Sequence, residues 1–230
     1  MLAAAVVLLA VAAPARAAEL VSLQAADGTA LAAAWYAPTR PAPAVVLVHM
    51  LTQSHREWDL PAQALHASGF AVLALDLRGH GNSSGSYASG LSSMQQDVQA
   101  ALDWVKLRPE VLPGHLGIAG ASLGASLAVI AAAADPAVRS VVLLSPGGEY
   151  RGLRCEASMR KFAERGGAAM LVASTGDPYA ARTARQFAAM GSGLRDLRII
   201  DGSHAHGTRL LDASADLVTA LVDWFRRSLL

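Results

Sequence analysis

Two apolar stretches near the start of the chain, residues 21–25 and 29–36, are parted by Ala26-Asp27-Gly28. Apolar runs around a turn of this kind predict a β-hairpin. The pattern then changes to short continuous apolar runs at residues 45–50, 70–77, 116–119, 141–144, 169–173 and 197–200. Runs of this length, rich in Val, Leu and Ile and bounded by turn residues, predict strands buried on both faces. Residues 58–67, 92–107, 123–134, 180–190 and 210–225 between and after them read as helices, and one more short helix fits between Ser145 and Ala168. Strand and helix therefore alternate. The expected class is α/β, a mainly parallel sheet of about eight strands with helices on both faces, its first two strands forming the antiparallel hairpin.

No linker, repeat or low-complexity stretch divides residues 18–230, so one domain is expected there. Residues 2–13 are an unbroken apolar run followed by Pro14 and the small-x-small sequence Ala15-Arg16-Ala17. Residues 1–17 therefore read as a secretory signal peptide, and the expected location is secreted or periplasmic. The run falls short of the roughly 20 residues that a membrane-crossing helix takes, so no stable membrane span is expected.

Composition narrows the chemistry. A chain that is 53% apolar and 16% charged can bury a core, which excludes disorder. Its 19 basic and 18 acidic side chains are interspersed, which argues against a nucleic-acid partner. Cys155 is the single cysteine and reads as a small buried or half-buried thiol, so no intrachain disulfide can form. No His/Cys group has zinc-ligand spacing, and no phosphate- or dinucleotide-binding glycine motif follows a strand. Neither a metal nor a cofactor is expected.

In open parallel sheets the ligand crevice lies beyond the carboxyl ends of the strands. That places the chemistry after Val48, Leu75, Ala119, Leu144, Ala173 and Ile200. The pattern G-x-S-x-G occurs twice, as Gly81-Asn82-Ser83-Ser84-Gly85 and as Gly120-Ala121-Ser122-Leu123-Gly124. A nucleophile elbow needs a strand before the serine and a helix after it, with glycines that let the two backbones pass closely. Ser122 meets that condition. Ser83 lies in the polar run 79–93 and reads as a loop serine.

A serine hydroxyl needs a neutral imidazole as base and a carboxylate to fix its tautomer, and the chain has seven histidines. Here the residues resemble a known family. Leu47-Val48-His49, then Asp76-Leu77-Arg78-Gly79-His80-Gly81-Asn82-Ser83, then the Ser122 elbow are similar to the α/β-hydrolases, in particular to compact, lidless serine esterases. The resemblance implies the order nucleophile, acid, base, with the acid after the next-but-one strand and the histidine after the last. His204 and His206 alone follow Ser122, and Asp177 sits a turn beyond a strand end; Glu149 is the alternative acid. Of the two histidines His206 is the better base. It precedes Gly207 and Thr208, where glycine permits a bend and threonine can cap the terminal helix, and the family base is commonly followed by glycine.

The oxyanion site should use the N–H of Leu123 and one from the loop after Val48. Where the family usually has His-Gly this chain has His49-Met50-Leu51, so the second donor lies between Leu51 and Met50, with Leu51 favoured. Met50, Leu51, Tyr150 and Tyr179 are expected on the pocket wall. His49 reads as a loop-ordering partner, and Asp76, Arg78 and His80 as a structural loop built on an Asp–Arg contact. Trp58, Trp104 and Trp224 fit core packing. Arg151, Arg154 and Arg160 read as solvated surface, with attraction of a carboxylate-bearing substrate as the alternative. The resemblance thus implies a serine hydrolase acting on small-molecule carboxylic esters through an acyl-enzyme; a short-acyl preference is expected because the stretch from Ser145 to Ala168, with one short helix, leaves no room for a lid domain. A peptidase, a dienelactone-type lactonase and an inactive binding protein are the competing readings.

Overall fold

A computed structural model describes residues 18–230, so the expected signal peptide lies outside the described residues. Eight strands form one sheet: β1 (Glu19–Gln24), β2 (Ala30–Tyr36), β3 (Ala42–Val48), β4 (Ala71–Leu75), β5 (Val111–Ala121), β6 (Val138–Leu144), β7 (Ala168–Ser174) and β8 (Arg195–Ile200). Their spatial order is β1-β2-β4-β3-β5-β6-β7-β8. β1 and β2 pair antiparallel as the expected hairpin, and β2 lies antiparallel against β4. From β4 to β8 every neighbour is parallel.

The helices are α1 (Asp59–Ala67), α2 (Met94–Lys106), α3 (Leu123–Ala134), α4 (Cys155–Glu164), α5 (Pro178–Ala188), α6 (Leu210–Ala213) and α7 (Leu217–Leu229). α1 and α7 cover one face of the sheet and α2 to α5 the other. Alternate residues of the inner strands feed the two cores: Val45 and Leu47 pack on the α7 side, Val46 and Val48 on the α3 side. This is why those runs are continuously apolar rather than alternating. α3 is apolar on nearly every side because α2, α4 and the sheet surround it.

Several boundaries differ from expectation for local reasons. β3 ends at Val48, so His49 and Met50 belong to the loop above the sheet. A 3₁₀ turn, His55–Trp58, precedes α1. The expected helix over 210–225 is two helices, α6 and α7. At the break Ser214 is extended and its hydroxyl donates to Asp216 Oδ1 at 2.5 Å, a local bond that competes with the helix. Trp58 and Trp224 are fully buried, whereas Trp104 is half-buried and meets Trp35 edge-on at 5.1 Å. Among the described residues no helix is long and apolar enough to cross a membrane.

Candidate active site

Ser122 stands between β5 and α3 with φ 53° and ψ −113°, a backbone conformation that non-glycine residues rarely adopt. The two glycines of its motif make the turn possible. A Cβ on Gly120 would lie 2.2 Å from the carbonyl oxygen of Gly124, and one on Gly124 would lie 2.2 Å from that of Val48. Strand and helix backbones therefore touch where side chains would stand. The turn is pinned by the Ser122 N–H, which donates to the Leu144 carbonyl at 2.9 Å.

Asp177 caps α5: its Oδ1 accepts the N–H of Ala180 at 3.2 Å, and Pro178 opens the first turn. That fixes the carboxylate beyond the end of β7. His206 lies beyond β8 in an extended conformation. The structure brings the three together. His206 Nδ1 is 2.5 Å from Asp177 Oδ2, and Nε2 is 2.8 Å from Ser122 Oγ. A carboxylate oxygen of Asp177 facing Nδ1 selects the tautomer with hydrogen on that nitrogen, which leaves Nε2 to accept the serine hydroxyl. His204 is exposed and stacks on the backbone of Gly176, away from this relay.

A cavity of about 370 Å³ opens at Ser122, walled by Leu51, Leu123, Pro146, Tyr150, Tyr179 and His206 among others. Glu149 also reaches this wall, and no hydrogen bond of the described residues joins it to His206. Met50 is not on the wall. Its side chain packs against Gly207, where a Cβ would come within 2.0 Å of Met50 Sδ, and its N–H donates to Glu57 Oε2 at 3.1 Å. Among the described residues no hydrogen bond takes up the N–H of Leu51 or of Leu123, which leaves both free to face a ligand. Contrary to expectation, Thr208 does not cap the terminal helix, which begins after Asp216; its hydroxyl donates to Glu57 Oε1 at 2.8 Å.

The loop after β4 is a scaffold, though not through the expected contact. Asp76 does not pair with Arg78; it accepts the N–H of His55 at 2.7 Å, faces His55 Nδ1 at 2.9 Å, and accepts the N–H of Asn82 at 2.9 Å. Arg78 instead forks onto Asp97 at 2.9 and 2.7 Å and reaches Asp27 in the hairpin turn at 2.6 Å. The Asp97 bonds raise the guanidinium pKa, and the Arg78 bond holds the Asp27 carboxyl at about 2. Ser83 is a loop serine: its hydroxyl donates to the Asp76 carbonyl at 2.6 Å and accepts the Ala32 N–H at 2.8 Å. Buried His49 donates from Nδ1 to the Met50 carbonyl at 2.6 Å and accepts the Leu77 N–H on Nε2 at 3.0 Å. Burial lowers its pKa to about 4. Cys155 is fully buried, and burial pushes its thiol pKa up. Arg154 and Arg160 line a second groove that meets the cavity at Glu149 and Tyr179, with Arg160 3.3 Å from Glu156, while Arg151 lies over the Tyr150 ring.

Sheet order, helix placement and an elbow turn at the carboxyl end of β5 define an α/β-hydrolase. A family model described as serine aminopeptidase, S33, matches residues 39–190, more than half of the chain, and the chain belongs to that family. Over 114 residues it is 36% identical to mouse sn-1-specific diacylglycerol lipase ABHD11, a match covering 48% of this chain and 35% of that protein. Over 150 residues it is 29% identical to thiohydrolase apmlB of Arthrinium phaeospermum, covering 63% and 48% respectively. The chain thus spans less than half the length of these curated relatives. In three dimensions it resembles an esterase of Pyrococcus furiosus (TM-score 0.76, 17% identity, 92% of this chain and 91% of that one). It also resembles a dienelactone hydrolase from Anabaena variabilis (TM-score 0.76, 18% identity, 93% and 98%). At those identities the two structures speak for the fold alone.

Proposed function

We propose that the chain is a serine hydrolase that cleaves carboxylic esters, preferring short acyl groups, through an acyl-enzyme. The observation that carries this reading is the continuous relay from Ser122 Oγ through His206 to Asp177 at the rim of a cavity. His206 Nε2 takes the hydroxyl proton as Ser122 Oγ attacks the ester carbonyl, and Asp177 stabilises the imidazolium. The oxyanion that forms would lie against the N–H groups of Leu123 and Leu51, at the positive end of α3. The imidazolium then protonates the departing alcohol. Water repeats the cycle from the same side, releasing the acid and restoring Ser122. The His206 side chain is 49% exposed, so water has direct access to that second step.

Short acyl preference rests on the modest cavity and on the short segment between β6 and β7, residues 145–167, whose one helix is α4. A fluorophosphonate probe should label Ser122, and Ser122→Ala should abolish both labelling and hydrolysis of nitrophenyl acetate or butyrate. Faster turnover of long-chain triglyceride emulsions than of these short esters would refute the chain-length preference. A peptidase reading draws on the Glu149 carboxylate at the cavity wall, which could receive a substrate ammonium. Hydrolysis of aminoacyl nitroanilides in preference to esters, lost in Glu149→Gln, would favour it.

A further inference from the structure

Glu57 lies outside the relay, yet it joins the two loops on which the proposed chemistry depends. It sits in the 3₁₀ turn before α1, half-buried, and burial pushes its carboxyl pKa up while its hydrogen bonds oppose the shift. Each carboxylate oxygen takes one donor from a different loop. Oε2 accepts the N–H of Met50 at 3.1 Å; Oε1 accepts the hydroxyl of Thr208, 151 residues further along the chain, at 2.8 Å. Thr208 is two residues past His206, and Met50 directly precedes Leu51. The Met50 side chain closes the ring by packing on Gly207.

The histidine loop has other anchors, but they bind it to the sheet. Gly207 N–H donates to Ser145 Oγ at 2.9 Å, and Ser174 Oγ donates to the Ala205 carbonyl at 2.7 Å. In the loop after β3 the Thr52 N–H donates to His80 Nε2 at 3.0 Å. With Met50 and Thr52 committed, the free N–H between them is that of Leu51. Glu57 bonds to both loops, next to Leu51 on one and two residues from His206 on the other.

We propose that Glu57 is a positioning residue: its carboxylate clamps the oxyanion loop to the histidine loop, so that the Leu51 donor and the His206 base keep one mutual geometry during turnover. This rests on the esterase reading above. Both groups act on the transition state, and neither contact with Glu57 involves the substrate, so loosening the clamp should lower kcat with little change in KM. Misplacement of such groups by about 1 Å can cost roughly 100-fold.

The test uses Glu57→Ala, Glu57→Gln and Thr208→Val in the full chain. Active sites are counted by fluorophosphonate, and hydrogen exchange is followed over residues 49–54 and 203–209. We expect Glu57→Ala to lower kcat per labelled site by roughly 10- to 100-fold, with KM within about threefold. Glu57→Gln, which can still accept from Met50 while its amide donates to Thr208, should restore kcat to within about fivefold. Thr208→Val should fall between them, and exchange should rise in both segments together in Glu57→Ala. If Glu57→Ala only lowers Tm and the number of labelled sites, leaving kcat per site unchanged, Glu57 is merely structural and the proposal is overturned. Exchange rising in one segment alone overturns it as well. Failure of the wild-type chain to label at Ser122 would refute the esterase reading instead, and the paired exchange response would still decide whether Glu57 clamps the loops.

Discussion

Ser122 stores strain that its own replacement can reveal. At φ 53° and ψ −113° a residue with a Cβ is held at a cost of about 1–3 kcal/mol, and glycine relieves that cost. Ser122→Gly should therefore be more resistant to denaturant than Ser122→Ala by about 1 kcal/mol, even though both lack the hydroxyl. Equal midpoints in urea would show that the turn carries no strain. The two C-terminal histidines separate just as sharply. His206→Ala should reduce kcat by several orders of magnitude, close to the effect of Ser122→Ala, because serine and imidazole act as a unit. His204→Ala removes a ring that rests on Gly176 and should cost less than about tenfold. The opposite ranking in folded variants would shift the base to His204.

Between residues and molecule, the loop after β4 shows how one buried fork holds elements together. Arg78 joins α2, through Asp97, to the hairpin turn, through Asp27, and both Arg78 and Asp97 are buried. Asp97→Ala would strand the guanidinium without its main partner and should destabilise by about 3–5 kcal/mol. Asp27→Ala, at the exposed end of the fork, should cost far less; equal midpoints in a denaturant titration would contradict this. These contacts also mark the limit of what the chain's pattern reveals. The inner strands were legible because each is buried on both faces and so reads as a short apolar run; β8 gave the same signal although, at the sheet edge, it is only half-buried rather than buried on both faces. Ser122, Asp177 and His206 were legible because each follows a strand end in the order the resemblance implies. Asp97 and Asp27 were not, since their partner lies across a turn or a helix with no periodic signal. Glu57 was equally silent: it stands at the mouth of a helix-like stretch, where an acidic residue usually means nothing more than a solvated first turn. The gap between α6 and α7 came from a single Ser–Asp bond inside an otherwise helical pattern.

For the molecule as a whole, His49 ties stability to pH. It stays neutral in the folded chain down to about pH 4, whereas an unfolded histidine takes up its proton near 6.5. Between those values the unfolded state binds more protons. The stabilisation from a neutral, buried His49 is thus complete above pH 6.5 and is lost progressively as pH falls towards 4, to the extent of about 3 kcal/mol. Unfolding free energies measured from pH 7 to pH 4 should decline more steeply in the wild type than in His49→Gln. Parallel slopes would remove His49 as the cause. The spread of the relay along the chain has a consequence for biosynthesis. Ser122 and His206 are 84 residues apart, so at about 5–20 residues per second the ribosome delivers the serine roughly 4–17 s before its base. A nascent chain stalled before residue 206 carries the elbow without its His206 base, and it should resist the fluorophosphonate. On the proposed reading, hydrolytic power arrives only with the last strand and the loop beyond it.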